Sequence, residues 1–124
     1  MSGPDPYSAL VARLFAAAPG AGRPDGPGWA TGEAAEPLTG TRVRLHLRAA
    51  DGRVTACRYE VRGCPHTVAA AALVAARLPG RPVAGLDVEP AGLARELEAP
   101  TEKLGRIFVI QDAVRSAALQ LNAA

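Results

Sequence analysis

Arg42-Val43-Arg44-Leu45-His46-Leu47-Arg48, Asp51-Gly52, Arg53-Val54-Thr55-Ala56-Cys57-Arg58-Tyr59-Glu60-Val61-Arg62 and Gly63-Cys64-Pro65-His66 follow one another through the middle of the chain. The first stretch alternates strictly. Val43, Leu45 and Leu47 fall on one face of a strand, and Arg42, Arg44, His46 and Arg48 on the other. Asp51-Gly52 supplies residues that tolerate the left-handed backbone of a tight hairpin turn. The second stretch alternates too, with Thr55, Cys57, Tyr59 and Val61 read as its inner side. The pattern predicts an antiparallel sheet that is dry on one face and wet on the other. His46 is expected on the wet face among arginines, as plain surface. After Gly63 the period changes to that of a helix, His66 to Leu78, ended by Pro79-Gly80.

Outward from this hairpin, Pro6 to Ala18 reads as a helix, with Tyr7, Val11, Leu14, Phe15 and Ala18 as its apolar stripe. The Gly/Pro-rich residues 19–28 cannot hold regular structure and are expected to be a mobile loop. A weak strand is expected near Trp29 to Glu36. The run Ala69-Ala70-Ala71-Ala72 would let the central helix lie close to the sheet. A short helix over Pro90 to Leu97 and a last one over Lys103 to Asn122 complete the chain, the latter with Leu104, Phe108, Val114, Ala118 and Leu121 inward. The reading is a single α+β domain over residues 1–124, with about three antiparallel strands and helices packed on one face.

The chain has 124 residues, enough for one modest core. It is 48% hydrophobic but only 4% aromatic, so small residues must do most of the packing. No apolar run approaches the roughly 20 residues of a membrane span. The start, Met1-Ser2-Gly3-Pro4-Asp5, lacks the basic region of a secretory signal, so a cytoplasmic protein is expected. Net charge is +2, too small to imply nucleic acid, but residues 40–62 carry six Arg against Asp51 and Glu60. Cys57 and Cys64 lie on one extended run, roughly 23 Å apart, beyond the roughly 7 Å reach of a disulfide. Cys57 reads as a small core residue.

Cys64 is different. A thiol at a strand-to-helix junction meets the first unpaired N–H groups of the helix, whose field favours the thiolate. Pro65 suits the first helical position, where its missing N–H is no loss. Cys64 thus reads either as a reactive sulfur or as a half-buried helix cap. His66, two residues on, reads either as a metal ligand beside Cys64 or as a solvated histidine at a helix end.

This order of elements, with Gly-Cys at the junction, resembles the NifU/IscU family of iron–sulfur cluster assembly scaffolds. The similar segments are Tyr7-x3-Val11-x3-Phe15-x3-Pro19-x2-Gly22, then Asp51-Gly52-x-Val54-x2-Cys57-x-Tyr59-x3-Gly63-Cys64. Val68-Ala69 through Leu73-Val74 and Leu78-x-Gly80-Arg81 follow. Leu97-x2-Pro100-x2-Lys103-Leu104 and Asp112-Ala113-Val114-x2-Ala117 lead into the last helix. Carried over position by position, the family's three cysteines, aspartate and histidine do not all survive. The first cysteine falls at Thr39, the aspartate at Thr41 and the second cysteine at Cys64. The histidine and the third cysteine fall at Gly105 and Arg106.

The resemblance therefore implies a cluster-assembly protein with a degenerate ligand set. Cys64 is its one competent position, as a cluster ligand or as a persulfide acceptor, with His66 a candidate second ligand. A stable iron–sulfur cluster or structural zinc usually takes four ligands, mostly thiolates, so a cluster is doubtful here and zinc is disfavoured. A homodimer pairing Cys64 and His66 of each chain would supply four. The implied partners are a cysteine desulfurase or other cluster-assembly proteins; membrane and nucleic acid are not expected. The alternative is a metal-free binding or regulatory module whose basic sheet face, Arg42, Arg44, Arg48, Arg58 and Arg62, meets a protein partner. That face is read as having no aromatic residue on which a base could stack. An enzyme is not expected, since His66 has no evident acidic or amide group to orient it.

Overall fold

A computed structural model of the chain describes residues 7–123. Pro6, the expected start of the first helix, and the opening stretch Met1-Ser2-Gly3-Pro4-Asp5 lie outside the described residues. The alternating stretches form three antiparallel strands, β1 (Trp29–Glu36), β2 (Thr41–Ala50) and β3 (Arg53–Arg62), in the order β1-β2-β3. Asp51 and Gly52 both take positive φ in the β2–β3 turn, 53° and 76°, as their side chains allow. Val43, Leu45, Leu47 and Tyr59 are buried on the inner face.

Four helices accompany the sheet: α1 (Ala9–Ala17), α2 (Pro65–Arg77), α3 (Pro90–Leu97) and α4 (Leu104–Ala123), the last preceded by a 3-10 turn, Thr101–Lys103. α4 packs on β1 and β2, α2 packs on β3, and α1 and α3 pack on those two helices. Ala69, Ala70, Ala71 and Ala72 are all buried. Small side chains also bring α4 close to β1. A methyl group placed on Gly32 would come within 2.1 Å of the Ala113 carbonyl oxygen and 2.5 Å of the Ala117 nitrogen.

That close seam corrects the sequence reading of α4. Its buried positions are Ile107, Val109, Ile110, Gln111, Ala113, Val114, Ala117 and Ala118, whereas Phe108 is exposed. At 3.6 residues per turn Phe108 falls on the side of the helix away from Ala113 and Ala117, which make that seam. Phe15 of α1 is exposed for a related reason: Val11 takes the buried position against α2, with Leu10 and Leu14 packed beside it. On β3, Thr55 is exposed and Val54 is buried instead. The register jumps from Arg48↔Ala56 to Ala49↔Val54, leaving Thr55 as the extra residue of a bulge. One unpaired residue flips the inward phase of everything before it.

His46 is a further correction. It is only 4% exposed. A 2.7 Å hydrogen bond joins its Nδ1 to Thr31 Oγ1, and a 3.0 Å contact joins its Nε2 to Glu60 Oε1. Cross-strand neighbours bury it on the outer face. Residues of the Gly/Pro-rich segment lie against the same sheet. Gly22 donates to the Tyr59 carbonyl (2.8 Å), Arg58 Nη2 to the Ala21 carbonyl (2.9 Å) and Arg48 Nη2 to the Pro27 carbonyl (2.7 Å).

Candidate functional site

Cys64 is the N-cap of α2, with extended backbone (φ −75°, ψ 166°) and Pro65 in the first helical turn. Its carbonyl accepts from the N–H groups of Thr67 (3.0 Å) and Val68 (3.2 Å), which locks the junction. The half-buried Sγ lies 3.4 Å from Thr67 Oγ1. Burial on its own raises the pKa of this thiol. The Thr67 hydroxyl, the Arg106 guanidinium and the backbone N–H groups of Thr67 and His66 act the other way, and the net value lies below that of an ordinary thiol. Cys57 has no such company. In the core its thiol is pushed up to about 12 by burial, as the sequence reading of a core residue requires.

The turn between β1 and β2 meets this junction. Glu36 accepts from the backbone N–H groups of Leu38 and Thr39, each at 2.8 Å. Thr39 Oγ1 lies 2.7 Å from Thr41 Oγ1. A Cβ on Gly63 would sit 3.4 Å from both Thr41 and Thr67 side chains. Arg106, near the start of α4, acts electrostatically on Glu36 as well as on Cys64. The structure thus gathers Thr39, Thr41, Cys64 and Arg106 at one end of the sheet. Gly105 is exposed, with open space around it. Among the described residues no three His, Cys, Asp or Glu side chains come together as a metal site. One thiolate, two hydroxyls and a guanidinium do not suit a resident metal.

His66 departs from the expected solvated helix end. It is 1% exposed, its ring lies 5.0 Å from that of Tyr7, and neither ring nitrogen has a hydrogen-bond partner among the described residues. Burial, together with the positive charges of Lys103 and Arg106, lowers its pKa and holds the imidazole neutral near pH 7. Thr67 is the residue that sequence reasoning passed over. Its place three residues after the N-cap, where side chains meet the capping group, was the available signal.

Comparison with known proteins gives two positive findings. The family model described as the NifU-like N-terminal domain matches residues 7–123. Among solved structures, the chain is similar to the N-terminal part of a nitrogen-fixing NifU-like protein from Brucella abortus, with a TM-score of 0.71 at 18% identity over 94% of each chain. It is also similar to a putative iron–sulfur cluster assembly scaffold protein for the SUF system from Fervidobacterium islandicum AW-1. That match has a TM-score of 0.72 at 11% identity over 91% of this chain and 96% of the other. At these identities the two structures speak for the fold alone: a three-stranded antiparallel sheet with four helices. No curated protein matches significantly. Among the described residues no helix is long and apolar enough to cross a membrane.

Proposed function

Because the chain belongs to the NifU-like N-terminal domain family, we propose that it serves iron–sulfur cluster assembly as a sulfur acceptor, with Cys64 as the accepting group. The observation that carries this reading is the setting of Cys64. A half-buried thiol at a helix N-terminus is turned toward its thiolate by Thr67 and Arg106, where no second thiolate stands to share a metal. In the transfer, the Cys64 thiolate attacks the terminal sulfur of a donor persulfide. A sulfur–sulfur bond forms on Cys64 as the donor's own breaks. The donor thiolate leaves with the electron pair and takes up a proton, so no outside oxidant or reductant is needed. Arg106 then faces an anionic persulfide, which a fixed guanidinium stabilises.

The donor in this reading is a cysteine desulfurase or another assembly protein. The chain supplies an acceptor rather than catalysis of its own; His66, the nearest base, has no orienting partner among the described residues. His66 is the second ligand that the sequence reading named, and its burial weighs against a cluster shared between two copies through both residues.

The test has two arms. Incubation with a cysteine desulfurase and L-cysteine, followed by intact-mass and peptide analysis, is expected to place added sulfur on Cys64 and none on Cys57, with Cys64→Ser blank. Anaerobic reconstitution with ferrous iron and sulfide is expected to leave the folded protein without a cluster. Stoichiometric iron and sulfide, lost in Cys64→Ser, would overturn the proposal in favour of a cluster carrier. One cluster per dimer would assign the shared site.

A further inference from the structure

The outer face of the sheet is ordered in rows that cross all three strands. The register sets Ala35, Arg42 and Arg62 side by side, then Glu33, Arg44 and Glu60, then Thr31, His46 and Arg58, then Trp29, Arg48 and Ala56. Successive rows lie two strand residues, about 7 Å, apart. Three of the five arginines on this face are already engaged. Arg44 is paired with Glu33 and stands opposite Glu60. Arg48 covers the Trp29 ring at 5.4 Å and bonds the Pro27 carbonyl. Arg58 holds the Ala21 carbonyl.

Arg42 and Arg62 are not engaged. Both are exposed and directly opposite one another. Neither has an ion-pair or side-chain hydrogen-bond partner among the described residues. Like charges facing each other across a ladder destabilise it, so the fold gains nothing from this pair. Ala35 ends the row with a small side chain. The two guanidinium groups therefore flank an open groove of about 560 Å³, bordered on its far side by Glu33, Arg44 and Glu60. The pair also marks the end of the sheet where the site lies: Arg62 leads into Gly63-Cys64, and Arg42 follows Thr41.

We propose that the Arg42–Arg62 pair is the docking site for an acidic segment of a partner protein. Two adjacent guanidinium groups match carboxylates in geometry as well as charge. In the next row Glu33 and Glu60 offset Arg44, so that row offers no net positive charge to a polyanion that continues along the sheet. A short local cluster of Asp or Glu fits; a nucleic-acid backbone does not. Trp29, the aromatic residue that the sequence reading left off this face, lies three rows away beneath Arg48 and offers no free stacking platform.

The test is an amide-resolved NMR titration of the isotope-labelled full chain. The probes are a short Ser/Gly peptide carrying adjacent Glu residues, its Gln counterpart and a single-stranded DNA oligonucleotide. The Glu peptide is expected to shift the amides of Ala35, Arg42 and Arg62, and the Gln peptide to leave them in place. In Arg42→Thr/Arg62→Thr the affinity for the Glu peptide is expected to fall about tenfold, a loss of about 1.4 kcal/mol. Thr is a good strand residue, and the variant removes a like-charge pair, so its melting temperature is expected to equal or exceed that of the parent. Shifts that are absent, spread over all arginines or unchanged in the variant would overturn the proposal. Tighter binding of DNA at the same amides would overturn it in favour of a nucleic-acid ligand.

Discussion

Cys57 and Cys64 carry the same side chain and meet opposite surroundings. Around Cys57 burial penalises charge and no donor stabilises a thiolate; around Cys64 there are donors and a guanidinium. Alkylation by iodoacetamide, which reads thiolate, should therefore be confined to Cys64 in the folded protein, with a pH midpoint below that of an ordinary thiol. Arg106→Met should move that midpoint upward and slow the reaction near neutrality. An unchanged profile would show that Arg106 plays no part. The linkage runs in opposite directions at the two residues. The depressed Cys64 value adds stability above the unfolded thiol pKa, and this is lost as pH falls through the folded value. The raised Cys57 value keeps the folded thiol protonated while the unfolded one ionises. From about pH 8.5 toward about 12, stability should drop by about 1.4 kcal/mol per pH unit from this group. Urea denaturation at several alkaline pH values checks it: Cys57→Val should flatten the slope. The positions of both cysteines were legible from strand period and helix start. Arg106 beside Cys64 was legible only through the family resemblance, which sets it at the third cysteine's position; strand period and helix start do not bring α4 to that junction.

Elements pack here through small residues, and the two clearest dependencies follow from that. Gly32 lets α4 lie on β1 with its backbone almost in contact. In Gly32→Ala either the strand or the helix must move, and the change is expected to cost about 3 kcal/mol, read as a lower urea midpoint. A loss below about 0.5 kcal/mol would mean the seam yields freely. Ser8 anchors α1 in two ways. Its Oγ accepts from the Val11 N–H (3.1 Å) and donates to the Leu97 carbonyl (2.9 Å), tying α1 to the end of α3. Ser8→Ala should cost about 1 kcal/mol, and an unchanged melting curve would argue against both bonds. The place of β1 near Trp29 to Glu36 and the span of α3, which starts at a proline, were readable from the sequence. The inward phases of α1, β3 and α4 were not. Phe15 and Phe108 look like core by type, yet their helix phase leaves both exposed while aliphatic and small neighbours take the buried positions. The bulge at Thr55 reverses a phase that alternation alone extends unbroken.

At the scale of the whole molecule, several elements converge on one place at the end of the sheet. Thr39 comes from the β1–β2 turn, Thr41 from the start of β2, Cys64 from the N-cap of α2 and Arg106 from the start of α4. Thr39 touches Thr41, Thr41 flanks Gly63, and Arg106 acts on Cys64. The sequence disclosed which residues stand at these positions, but their convergence is a property of the packed sheet and helices. In the proposed reading, what bars a metal from this place is ligand chemistry and the Arg106 charge. Thr39→Cys with Arg106→Cys would then offer three thiolates and remove the opposing cation. Three protein ligands and a water suffice for zinc. The parent and Arg106→Met are expected to emerge from zinc loading and gel filtration without metal. The double variant should retain stoichiometric zinc, measured by elemental analysis, and lose it when Cys64→Ser is added. Bound zinc should also raise its melting temperature, since a ligand held only by the folded state stabilises that state. A folded double variant that retains no zinc would show that Thr39 and Arg106 do not face Cys64 across a common site, and the proposed role of Arg106 at the persulfide would fall with it.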